Sequence, residues 1–139
     1  MCPSITVRAL LLDMDGTLVN SHAVVERVWT EWAVAQGLDP ADVLPNIHGR
    51  QAHASMAVLL PGRPHELNLA DNAQMLEKEQ RDLDGVIPVP GAPELLARIA
   101  DHPHALVTSA PRSLAEARMG AAGIPVPAVR VMAEDVRAS

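Results

Sequence analysis

At 139 residues, with 48% hydrophobic and 20% charged positions, the chain has the size of one ordinary globular domain and too much apolar content to remain disordered. Its formal charge of -6 argues against a nucleic-acid backbone or an anionic membrane as partner, because both need clustered Lys and Arg. With no Phe or Tyr and only two Trp, the chain has almost no platform for stacking bases, and its core must be filled by Leu, Val, Ile, Ala and Met.

The single cysteine, Cys2, can form neither an internal disulfide nor a zinc cluster and suits a reducing cytoplasm. Wholly apolar runs such as "ALLL" from Ala9 and "MAVLL" from Met56 stop far short of the roughly 18 residues a membrane span needs. The start lacks the basic region, apolar stretch and cleavage site of a signal peptide. The expectation is a soluble cytoplasmic protein.

Along the chain, "ITVRALLLD" (Ile5 to Asp13) is β-branched and then continuously apolar, which predicts a central strand covered on both faces. From Ser21 to Gln36 the apolar positions Val25, Val28, Trp29, Trp32 and Ala33 recur at helical spacing, with Ser21 as cap and Gly37 as terminator. Further helices are expected over Arg50 to Leu60 and Leu67 to Leu83, separated by "PGRP". Asp84 to Gly91 reads as a stiff boundary before a helix opening near Pro93 and Glu94. "HALVTSA" (His104 to Ala110) predicts a second strand, Arg112 to Ala122 a helix closed by Gly123, and "AVRVMA" from Ala128 a third strand.

Strands alternating with helices indicate an α/β unit with a parallel sheet. The helical segment 20–84 reads as an insertion that divides a core made of 1–19 and 85–139.

The chemistry gathers at the strand ends. Two carboxylates one residue apart, Asp13 and Asp15, raise each other's proton affinity, which a packed edge avoids unless they serve a cation or a proton transfer. Ligands of open α/β sheets bind beyond the carboxyl ends of the strands, where the two acids can face Thr108 and Ser109. One acid can hold a divalent cation and attack phosphorus; the other can protonate the leaving oxygen and then activate water. Hydroxyls and helix-start N–H groups can hold phosphoryl oxygens. The competing reading makes "DxDGT" a polar turn and Thr108 and Ser109 a helix cap. His48 and His53, five apart, do not share a helical face and are not read as metal ligands.

"DMDGT" at the end of an apolar strand, a helical insertion, and then "LVTSA" at the end of another strand resemble the haloacid dehalogenase superfamily, in the branch whose helical cap follows the first motif. "HGR" in the insertion and the run from Thr108 to Val136 are similar to its sugar-phosphate and polyol-phosphate phosphatases. The resemblance implies a Rossmann-like parallel-sheet core with an inserted α-helical cap, and a Mg²⁺-dependent phosphomonoesterase acting through an aspartyl-phosphate on a small phosphate ester. Asp13 would be the nucleophile and Asp15 the general acid and base. Asp13 and the main-chain carbonyl of Asp15 would ligate Mg²⁺, Thr108 and Ser109 would bind phosphate, and Arg50 of the cap would touch substrate.

Dehalogenases of the superfamily commonly carry tyrosine at the position of Asp15, which favours phosphoryl chemistry here. A phosphomutase of the same superfamily and an inactive fragment with binding capacity alone are the alternatives. A phosphorylation-receiving signalling domain also uses a strand-end Asp, but the helical insertion disfavours it. Relatives continue beyond "AEDV" with Gly-Lys-Pro and an acid-bearing strand end; neither lies within "RAS", so the core is expected to be incomplete at its C-terminus, with an apolar sheet edge exposed.

Overall fold

The computed structural model describes residues 2–136 and divides into two units. One comprises residues up to Asn20 together with those from Ile87 onward, and the other is Ser21–Val86.

The first unit carries a three-stranded parallel sheet in the order β1-β4-β5, formed by Leu10–Leu12 (β1), His104–Val107 (β4) and Arg130–Val131 (β5). Leu10, Leu11 and Leu12 stand opposite His104, Ala105 and Leu106, and Leu106 and Val107 stand opposite Arg130 and Val131. A separate antiparallel ribbon pairs Val19–Asn20 (β2) with Ile87–Pro88 (β3) and is extended by the Val89 N–H donating to the Leu18 carbonyl. Helices Ala92–Arg98 (α5) and Arg112–Ala121 (α6) complete the unit.

β1 is shorter than the sequence predicts and is not covered on both faces. Only Leu10–Leu12 has a neighbouring strand to bond to, and residues 5–9 are exposed with no strand partner. β1 ends the sheet order, and Leu11 is 74% exposed. Val107 and Val131 lie on the same open face, so the apolar run reflects one packed side rather than two.

The second unit is helical: His22–Ala35 (α1), Pro40–Val43 (α2) with a 3-10 turn at Leu44–Asn46, Ala52–Leu59 (α3) and His65–Arg81 (α4). Ser21 holds the N-cap position of α1. Gly37, at φ 73°, ends the helix: its N–H reaches the Val34 carbonyl and the Leu38 N–H reaches that of Ala33, satisfying carbonyls the helix leaves open. Helix α1 packs on α2 and α4, and α3 packs on α4. Trp29 and Trp32 are both buried and meet edge to face, 5.3 Å between ring centres.

In the absence of Phe and Tyr, Met14, Met56, Met75, Met119 and Met132 fill much of the buried volume, which their three flexible torsions suit. No described helix is long and apolar enough to cross a membrane.

Candidate active site

β1 and β4 run parallel as neighbours, so both open their carboxyl ends on the same side of the sheet. Asp13 leaves β1 there, followed by a loop that closes on itself. The Met14 carbonyl accepts the N–H groups of Thr17, Leu18 and Val19 at 3.2, 2.9 and 3.0 Å, and the Gly16 N–H donates to the Val19 carbonyl at 2.8 Å. The turn needs φ 80° at Gly16, a left-handed conformation that glycine adopts without the steric cost of a Cβ. Met14 and Leu18 are fully buried and anchor the loop, which leaves Asp13 and Asp15 exposed.

The Asp13 Oδ1 accepts the Met14 N–H at 2.8 Å, which fixes one oxygen of its carboxylate against the loop backbone. The Asp15 Oδ1 accepts from the Arg118 Nη1 at 3.1 Å. Arg118 lies on α6 and is buried at 4% exposure, whereas the Asp15 side chain is 41% exposed.

At the end of β4, the Thr108 N–H continues the ladder to the Val131 carbonyl, and its Oγ1 accepts the Ala110 N–H at 3.1 Å. Thr108 is buried and Ser109 exposed. Neither hydroxyl caps α6, whose N-cap position is Pro111. That service comes from Glu134, which lies in a 3-10 turn at Ala133–Asp135 after β5. Its carboxylate accepts the Arg112 N–H at 3.0 and 3.1 Å.

The sheet thus gathers Asp13, Asp15, Thr108 and Ser109 at one end of two adjacent strands. Arg50 belongs to the helical unit, exposed in the loop before α3 behind Gly49 at φ 79°. Arg118 and Glu134 escape the reading of motifs. The available signal for Arg118 is its place on the apolar face of α6 with Leu114, Ala115 and Met119, where a charge is costly unless paired. Glu134 leaves no such signal, since its partner lies 22 residues away.

As a cation site, this end of the sheet offers the exposed carboxylates of Asp13 and Asp15. No group of three or more His, Cys, Asp or Glu side chains placed to hold a metal ion occurs among the described residues. A sparse, all-oxygen donor set fits a hard divalent cation and not one that needs thiolate or imidazole ligands.

Residues 7–137 match the haloacid dehalogenase-like hydrolase family. The chain belongs to that family. Among relatives of this haloacid dehalogenase-like hydrolase, hexitol phosphatase A of Escherichia coli K12 is 39% identical over 132 residues, covering 94% of this chain and 61% of the relative. The 2-deoxyglucose-6-phosphate phosphatase 2 of Saccharomyces cerevisiae is 33% identical over 98 residues, covering 68% of this chain and 38% of the relative. The chain therefore spans about three fifths of the first relative's length and less of the second.

Solved structures share the fold. A hydrolase from Pseudomonas syringae superposes with a TM-score of 0.70 at 22% identity, covering 94% of this chain and 62% of that one. CbbY from Rhodobacter sphaeroides in complex with phosphate also gives 0.70, at 19% identity, covering 96% and 66%.

Proposed function

We propose that this protein hydrolyses phosphate monoesters of small sugars or polyols through an aspartyl-phosphate on Asp13. The observation that carries the reading is the placement of two solvent-facing acids on one self-bonded loop, at the end of the sheet where β4 delivers Thr108 and Ser109. The relatives named for hexitol and 2-deoxyglucose-6-phosphate phosphatase activity support the substrate class.

In the proposed reaction a carboxylate oxygen of Asp13 attacks phosphorus, and the bond from phosphorus to the ester oxygen breaks. Asp15 gives its proton to the departing alkoxide. It then takes a proton from a water that attacks the aspartyl-phosphate, freeing inorganic phosphate and restoring Asp13. Thr108 and Ser109 hold phosphoryl oxygens, and Arg50 contacts the substrate. We assign 1–19 and 85–139 to the catalytic core and 20–84 to a cap, and we place the activity in the cytoplasm. Mg²⁺, held by the Asp13 carboxylate and the Asp15 main-chain oxygen, would offset the charge between nucleophile and phosphate.

The test is release of inorganic phosphate from a panel of hexose and hexitol phosphates with Mg²⁺ present. Asp13→Asn is expected to lower turnover by ~1,000-fold or more, as loss of a covalent nucleophile does. Full activity in that variant overturns the mechanism. Activity confined to other esters, with sugar and polyol phosphates untouched, overturns the substrate class.

A further inference from the structure

We infer that Arg118 is a positioning residue for Asp15, holding the proton-transferring carboxylate in line from beneath the site. The inference rests on the proton role proposed for Asp15. Four observations lead to it. Arg118 is buried within α6 on the face that carries Leu114, Ala115 and Met119, a place where a guanidinium is costly unless it is paired. Its Nη1 donates to the Asp15 Oδ1 at 3.1 Å across 103 residues of sequence. The Asp15 side chain remains 41% exposed, so the contact steadies the carboxylate without burying it away from substrate. Finally, α6 follows directly on Thr108 and Ser109, so one arginine ties the acid of β1's loop to the helix that succeeds the hydroxyls of β4.

An aspartate on an exposed loop otherwise samples several rotamers, and a proton donor must sit within hydrogen-bond reach of one particular oxygen. The guanidinium is a rigid, planar fork that loses little freedom per bond formed, which makes it a firm rest for one carboxylate oxygen. The role inferred for Arg118 passes through Asp15 and not through direct contact with a reacting atom.

That indirect route predicts a dependence on the leaving group. An alkoxide needs a proton as it departs, whereas p-nitrophenolate departs with little help, and kcat/KM reports steps through this departure. Arg118→Met is expected to lower kcat/KM for sorbitol 6-phosphate by ~10- to 100-fold, the scale of a misplaced catalytic group, and that for p-nitrophenyl phosphate by no more than ~3-fold. Arg118→Lys is expected to recover part of the loss. Arg118→Met is expected to add little on top of Asp15→Asn, because both act through one carboxylate.

Equal losses on the two esters, or a full additional loss in the Asp15→Asn background, overturn the inference. Where Arg118→Met fails to give a cooperative melt by circular dichroism, the same ester comparison on Arg118→Lys decides: selective loss supports positioning, and equal loss refutes it. Asp15→Asn separates the two levels. If it shows no preference between esters, the proton role of Asp15 fails and the inference falls with it. If Asp15→Asn discriminates and the Arg118 variants do not, the inference alone fails.

Discussion

Removal of the Asp71 carboxylate is expected to destabilise the helical unit by about 1.5–3.5 kcal/mol. Its Oδ2 accepts the indole N–H of Trp32 at 2.8 Å and also meets the Arg63 Nη2 at 2.9 Å. In Asp71→Ala the buried Trp32 N–H loses its acceptor, a cost of roughly 1–3 kcal/mol. Arg63 keeps its bond to the buried Asn68 at 2.8 Å, so the lost ion pair adds only about 1 kcal/mol after solvent screening of side chains that are 16% and 20% exposed. The better helix propensity of Ala returns about 0.5 kcal/mol within α4.

Asp71→Asn, which retains a carbonyl acceptor, should lose about half as much. Trp29 and Trp32 are the only aromatic residues of the chain besides histidine, and both lie on α1, so tryptophan fluorescence during urea denaturation reads the helical unit directly. A loss below about 0.5 kcal/mol in Asp71→Ala, or a loss abolished by ~0.5 M salt as for an exposed pair, would refute the reasoning.

Two further outcomes are expected. Hydrogen bonding from Arg27, at 2.9 and 3.0 Å, holds the Asp82 carboxyl below its ordinary value of 3.8, so the folded state binds fewer protons there than the unfolded chain. The contribution of this pair is therefore complete above that ordinary value and disappears as pH falls through the folded one. The unfolding free-energy difference between the wild type and Asp82→Asn should be flat from pH 7 to about 5 and shrink below it, and a difference that grows on acidification would contradict the assignment. At Gly16, no heavy atom lies within 4 Å of an added Cβ, so Gly16→Ala is penalised by backbone strain alone, about 1–2 kcal/mol, with Gly16→Asn losing less. Equal stability of both variants in thermal melts would show that the loop does not require its left-handed residue.

Legibility in the sequence followed the range of the interactions involved. Helices α1, α4 and α6 repeat their apolar positions over several turns, so their existence was readable, and α1 ends at Gly37 where a left-handed residue was expected. β1 was overextended because a strand needs a partner: Ile5 and Val7 favour extended backbone, yet the pairing with β4 begins only at Leu10. The β2–β3 ribbon and the 3-10 turns are too short to leave a period. Asp13 and Asp15 were visible because their chemistry is concentrated in five residues. Arg118 left only a faint signal, its place among Leu114, Ala115 and Met119 on one face of α6, and its partner Asp15 lies 103 residues away. The capping of α6 by Glu134 is invisible, because helix-start patterns are sought in the helix's own sequence.

The loop after β1 carries one more implication. Its hydrogen bonds run among Met14, Gly16, Thr17, Leu18 and Val19, with none borrowed from β4 for its closure. The turn at the two acids is therefore closed locally and seated by the apolar plugs Met14 and Leu18, while the Leu18 carbonyl and the Asp15 carboxylate reach out to Val89 and Arg118. A turn closed in this way sets its backbone shape early in the chain, and the side chain of Asp15 then finds its rest on a helix 103 residues further on.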